Sequence, residues 1–170
     1  IPETEMPLEK IKELLKKEIG LHSDTVGISA LKNAAKARLD KTGHEDLVSY
    51  YEYLQTSPDE QYSLIEEVVV PETWFFRDRA PFDTLREIAQ KKLLSGTLTE
   101  TLRILSLPSS TGEEPYSIAI TLLDTGLNPS QFSVDAIDIS ENALALARRA
   151  IYRKNSFRGK QEEHIKFVCT

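Results

Sequence analysis

The stretch LSLPSSTGEEPYSIAI, residues 105–120, decides the fold, because the period of its apolar residues changes partway along it. Just ahead of it and into its start, LRILSL (102–107) is a short continuous apolar run, the pattern of a buried strand. The turn PSSTG follows, and from about Glu113 to Asp124 the apolar residues recur at helical spacing. Two readings of Thr111-Gly112-Glu113-Glu114-Pro115 stand side by side. In the first, Thr111 and Glu114 form an S/T-x-x-E capping box, the glutamates favour the helix N-terminus, and Pro115 suits the first turn. In the second, the turn stands at the carboxyl ends of parallel strands, where open sheets of this kind bind ligands. Phosphate sites use bare backbone N–H groups and often a lysine, and two carboxylates oppose them. Neither G-x-x-x-x-G-K-[ST] nor G-x-G-x-x-G occurs. A cationic, phosphate-free ligand suits this turn, and S-adenosylmethionine, with its sulfonium, ammonium and ribose hydroxyls, meets that description.

Downstream the alternation continues. FSVDAIDI (132–139) is expected as a second strand, ENALALARRAIY (141–152) as its helix, and HIKFV (164–168) as a third strand. Strand and helix in turn, joined by short connections, predict a parallel doubly wound sheet. Asp138 ends the second strand, where a carboxylate would accept ribose hydroxyls. Its alternative is a turn or N-cap role, for which Ser140 is the better candidate.

Upstream, four apolar patterns at helical spacing are separated by short polar turns: Leu8 to Ile19, Ile28 to Leu39, Leu47 to Leu54, and Glu60 to Val69. They predict a small helical domain. The segment VVVPETWFFRDRAPF then breaks helix at Pro71 and Pro81, and a further helix is expected from Pro81 to Leu94. The expected organisation is a helical domain over 1–70, a linker with the aromatic and arginine segment and its helix over 71–94, and an S-adenosylmethionine-binding α/β region over 95–170. The class is α plus α/β. A doubly wound domain is usually built from five or more strands, so the α/β part reads as truncated, its first half alone.

The residues TWFFRD, LSLPSSTGEEPYSIAI, DAIDIS and AIYRKNSFRG together resemble the CheR-type protein-glutamate O-methyltransferases of bacterial chemotaxis. The wording of PETWFFRDRAPF and NSFRG is most similar to members attached to chemosensory-like pathways. The resemblance implies a Rossmann-like methyltransferase domain behind a helical receptor-recognition domain. It also implies methyl transfer from S-adenosylmethionine, with S-adenosylhomocysteine as product, to glutamate side chains in the cytoplasmic domain of a methyl-accepting chemoreceptor. Carried over position by position, Thr73, Arg77, Glu114 and Asp138 match family positions that contact the cofactor. Pro71 stands where the family often has asparagine, and Leu107-Pro108-Ser109 replaces smaller residues in the turn. Arg77 is the candidate catalytic residue, orienting the acceptor carboxylate with a planar fork; its alternative is a surface pair with Asp78. The competing function is a non-catalytic module that binds a receptor or signalling partner through its helices. A small-molecule methyltransferase is disfavoured, since such substrates do not call for the helical domain.

The remaining features carry simpler expectations. Trp74, Phe75 and Phe76 are expected to pack as core between domains, with a cation–π role toward the sulfonium as the alternative. Tyr116 has two readings, toward the cofactor or into the sheet. Lys32, Lys36, Arg38 and Lys41 lie within a turn or two of one another and form a candidate receptor-facing strip, against the reading of an ordinary exposed face. His22, His44 and His164 show no metal-ligand spacing, so no metal is expected. Cys169, the one cysteine, forms no internal disulfide and is read as inert. Lys91-Lys92 and Arg148-Arg149 read as solvated helix faces. A composition of 40% apolar and 28% charged residues is that of a globular chain. A net charge of −6 argues against nucleic acid or anionic membrane as partner. No apolar run reaches the roughly 20 residues of a membrane helix, so no insertion is expected. No secretory signal is visible, and a cytoplasmic monomer is expected.

Overall fold

A computed structural model describes residues 5–20, 27–69, 71–96 and 100–158. The chain divides into two compact units, Ile1–Val70 and Pro71–Thr170.

The first unit holds helices α1 (Glu5–Ile19), α2 (Ile28–Thr42), α3 (Leu47–Thr56) and α4 (Pro58–Val68). Each stops where local chemistry stops it. Gly43, at φ 74°, adopts the left-handed cap of α2 and donates its N–H to Leu39. Asp46 accepts the N–H groups of Val48 and Ser49 at the start of α3. Ser57 caps α4, with Pro58 in the first position, where no donor is needed. The fourth helix therefore begins two residues before the expected Glu60. Its apolar stripe meets those of the other three: Leu8, Ile11 and Leu15, Leu31 and Ala35, Tyr50 and Leu54, and Leu64, Ile65 and Val68 form one buried cluster. A polar knot crosses this core. Arg38 donates to both carboxylate oxygens of Glu60, at 2.9 and 2.7 Å, and the Tyr50 hydroxyl donates to the same group at 2.9 Å.

The second unit holds α5 (Arg79–Leu94), β1 (Leu102–Ser106), α6 (Glu113–Asp124), β2 (Phe132–Ala136) and α7 (Glu141–Arg149). α5 starts at Arg79 rather than at Pro81, because a proline in the first turn lacks only a donor that would have had no acceptor. β1 and β2 pair in parallel, with Leu102 opposite Phe132 and Ser106 opposite Ala136. Their side chains pack with α5 and α6 around Phe75, Phe76, Phe82, Ile118 and Leu122. β1 ends at Ser106, one residue early, and β2 at Ala136, three residues early. Beyond Ser106 the chain turns through a cis Leu107–Pro108 peptide. α7 ends at Arg149 rather than Tyr152, because Ala150 takes the left-handed conformation at φ 51°. The expected strand 164–168 and Cys169 lie outside the described residues.

Candidate functional site

The turn between β1 and α6 is fastened to the end of β2. The Ile137 N–H donates to Ser106 at 3.0 Å and the Ser109 N–H to Ile137 at 2.8 Å, continuing the ladder past the last paired residues. Asp138 completes the joint. Its Oδ2 accepts the Ser110 N–H at 2.7 Å, and its Oδ1 accepts the Ser140 N–H at 2.9 Å. Ser140 caps α7 by accepting the Ala143 N–H, as expected. Asp138 is nonetheless not free of the backbone, because it closes both the turn and the strand end. Each carboxylate oxygen has a second lone pair, and the side chain remains half-exposed, so hydroxyl donors can still be accepted.

No capping box forms at Thr111. The N-cap of α6 is Gly112, at φ 100°, with no side-chain cap bond. A Cβ at Gly112 would lie 2.6 Å from the Tyr152 hydroxyl and 2.8 Å from the Ala147 Cβ, so only glycine fits this contact. The two glutamates then part company. As the first two residues of a helix they project about 100° apart, so one enters the protein and the other leaves it. Glu113 is 2% exposed and accepts the Thr111 and Ser156 hydroxyls at 2.5 and 2.8 Å. Glu114 is exposed, and one of its oxygens accepts the Ser106 hydroxyl at 2.6 Å. Ser109, in the same turn, has a fully buried hydroxyl without a hydrogen-bond partner among the described residues. Tyr116 turns toward α7, its hydroxyl donating to Ala147 at 3.1 Å.

The segment bearing Thr73 and Arg77 is tied through its backbone to α6 and to Ser156, beyond α7. The Phe76 N–H donates to the Ser117 hydroxyl at 2.9 Å, and the Phe75 N–H donates to the Ser156 carbonyl at 2.8 Å. Phe76 and Asp78 both hold φ near 55°, an unfavourable conformation for an aromatic residue that persists only where surroundings impose it. Phe75 and Phe76 are buried in this unit's own core, and burial of each contributes about 2–3 kcal/mol. Trp74 is half-buried, with the guanidinium of Arg77 at 4.6 Å and that of Arg158 at 5.8 Å from its ring. Arg77 is exposed; it donates to the Glu72 carbonyl at 2.5 Å and lies 3.9 Å from Asp78. Thr73 is half-buried on the same segment. Among the described residues no bond joins Thr73 or Arg77 directly to Glu114 or Asp138.

Sequence reasoning missed Ser156, Tyr152 and Arg158, and it set Glu113 beside Glu114 toward the ligand, whereas Glu113 is buried. The Tyr152 hydroxyl donates to the Thr111 carbonyl at 2.8 Å, and burial, followed by the nearby Glu113 and Tyr116, pushes that phenol above its ordinary range. A legible signal existed only for Glu113, since adjacent helical residues cannot share one exposure. Among the described residues, no group of three His, Cys, Asp or Glu side chains is arranged to hold a metal ion. The candidate receptor strip is half paired: Arg38 is bonded to Glu60 and the exposed Lys41 to Glu67, while Lys32 and Lys36 are exposed without an ion pair among the described residues.

These residues fit a ligand with positive charge and hydroxyl donors, because the turn presents Glu114 and Asp138 and no lysine. Comparison with known proteins agrees. A family model described as "CheR methyltransferase, SAM binding domain" matches residues 71–169. The chain is 44% identical over 153 residues to a probable biofilm formation methyltransferase WspC of Pseudomonas putida, covering 90% of this chain and 36% of that one. It is 46% identical over 151 residues to the Pseudomonas aeruginosa protein of the same name, covering 89% and 36%. It is 37% identical over 124 residues to a chemotaxis protein methyltransferase of Escherichia coli, covering 71% and 41%. The chain thus spans about a third of the length of the WspC relatives it matches. With the strand-end aspartate, the glycine turn and the aromatic segment all inside the matched region, the chain belongs to the CheR methyltransferase family.

Proposed function

We propose that this chain carries the cofactor-binding part of an S-adenosylmethionine-dependent protein-glutamate O-methyltransferase. Its substrates would be glutamate side chains in the cytoplasmic domain of a chemoreceptor. The observation that supports this most is the joint at the strand ends, where Asp138 and the turn bearing Glu114 are locked together with both carboxylates still reachable. S-adenosylmethionine, when bound, supplies a methyl group on a sulfonium that departs as a neutral thioether. Asp138 would accept the ribose hydroxyls and Glu114 would offer its remaining oxygen to the cofactor. Thr73 and Arg77, on the aromatic segment, would supply the remaining contacts to it.

The acceptor carboxylate is already ionised at neutral pH, so no strong general base is required. Transfer of the methyl group to such a carboxylate would require no proton to be moved by the protein. The protein's task is alignment at near-attack distance. Arg77 suits it, being an exposed guanidinium that Glu72 and Trp74 hold in place, although it would have to exchange its 3.9 Å pairing with Asp78 for the acceptor carboxylate. In this reading the helical unit, 1–70, meets the receptor, and the protein works as a cytoplasmic monomer. Among the described residues no helix is long and apolar enough to cross a membrane.

Calorimetric titration with S-adenosylhomocysteine tests the reading. Micromolar binding is expected, weakened at least about tenfold in Asp138→Ala, a loss of about 1.4 kcal/mol. A folded chain that takes up no S-adenosylhomocysteine would overturn it in favour of a partner-binding module.

A further inference from the structure

We propose that Glu113 is a positioning residue that holds the Thr73–Arg77 segment in register with the turn bearing Glu114 and Asp138. This inference rests on the cofactor reading above. Three strands of contact meet at this one buried side chain and its carbonyl. Its Oε2 accepts the Thr111 hydroxyl at 2.5 Å, which holds the glycine turn. Its Oε1 accepts the Ser156 hydroxyl at 2.8 Å, and the Ser156 carbonyl in turn accepts the Phe75 N–H at 2.8 Å. Its main-chain oxygen accepts the Ser117 hydroxyl at 2.6 Å, and that hydroxyl accepts the Phe76 N–H at 2.9 Å. Both N–H groups at the centre of the aromatic segment therefore end, one step removed, on Glu113.

Stability alone does not account for this choice of residue. A carboxylate at 2% exposure carries a desolvation cost, and among the described residues no cationic side chain pairs with it to offset that cost. An apolar side chain of similar size is often as good for stability at such a position. What an apolar side chain lacks is two acceptors aimed at two different segments. The segment so held is also the one under backbone strain, at Phe76 and Asp78, and strained residues stay in place only when over-determined. Tyr152 adds to the clasp from the same side, with its ring edge-on to Phe75 at 4.9 Å while Phe157 stacks on Phe75 at 4.9 Å.

The test compares wild type with Glu113→Ala, Glu113→Gln and Ser156→Ala, all well below their unfolding midpoints. Two readouts are used: calorimetric affinity for S-adenosylhomocysteine, and acrylamide quenching of Trp74, the chain's single tryptophan. Glu113→Ala is expected to weaken binding about tenfold or more, as loss of a hydrogen bond to a charged group would, and to raise quenching of Trp74. Glu113→Gln, which keeps the shape and one acceptor, is expected to recover most of both. Binding within about twofold of wild type, with unchanged quenching and only a lower midpoint, would overturn the proposal. If Glu113→Ala does not fold, Ser156→Ala decides by the same criteria, since it removes a single donor. If wild type takes up no S-adenosylhomocysteine, the cofactor reading fails and quenching alone decides: a rise supports the clasp and no change overturns it.

Discussion

At the scale of single residues, the answer to why two glutamates follow Gly112 is that they do different work. Glu113 is turned inward to two hydroxyls, while Glu114 stands at the surface on a serine from β1. Gly112 is the third member of this arrangement, since its φ and the Tyr152 hydroxyl beside it leave no room for a methyl group. Gly112→Ala is therefore expected to cost at least about 2 kcal/mol, through strain and overpacking together, read as a lower midpoint in chemical denaturation. Arg77 makes a sharper chemical prediction. Lysine retains the charge but not the planar fork, so Arg77→Lys is expected to lower kcat/KM on a receptor fragment about tenfold or more, with S-adenosylhomocysteine affinity less affected. Unchanged efficiency would remove Arg77 from the alignment of the acceptor.

At the scale of elements, the four helices of the first unit are held by an apolar cluster and by one buried ionic knot between α2, α3 and α4. Burial raises the affinity of Glu60 for its proton, but the bonds from Arg38 and Tyr50 and the charge of Arg38 outweigh it, and the carboxyl lies below its ordinary 4.5. Because the folded-state value is depressed, the stabilisation is fully present above pH 4.5 and is lost as pH falls through the folded value. Thermal unfolding of the first unit is expected to show this acid-side loss, and Glu60→Gln to lack it. Arg38→Ala leaves a buried carboxylate without its cation and is expected to cost about 3 kcal/mol at neutral pH. The same pairing explains why the cationic strip on α2 is weaker than its sequence implies, since two of its four charges are spent within the unit.

At the scale of the whole molecule, every candidate cofactor residue lies in the unit Pro71–Thr170, and the Arg38–Glu60 knot lies in Ile1–Val70. A ligand that binds only the folded state of one unit raises the stability of that unit, by about 2.7 kcal/mol at a hundredfold excess over Kd. Differential scanning calorimetry is therefore expected to resolve two transitions. S-adenosylhomocysteine should raise one of them and Arg38→Ala should lower the other. A single transition moved by both would show that the two units unfold together.

The sequence by itself determined the order of elements, the helix start at Ser140, and the placement of an acidic turn at the strand ends. These follow from periodicity, capping and turn chemistry, which act within a few residues of chain. It also singled out Asp138 as a candidate, because position at the end of a parallel strand is itself a local property of a βαβ pattern, whereas Glu114 was separated from Glu113 only by the resemblance. Local rules misjudged Thr111, whose capping box competes with a carboxylate drawn inward by Ser156, 43 residues from Glu113. They missed the end of α7, because Ala150 in a left-handed conformation leaves no mark in the sequence. Only the tertiary structure decided which glutamate faces solvent, that Asp138 closes the turn, and that Phe75 and Phe76 hang from Ser156 and Ser117. Those outcomes depend on which distant donors reach a buried acceptor, and that is set by packing rather than by spacing along the chain.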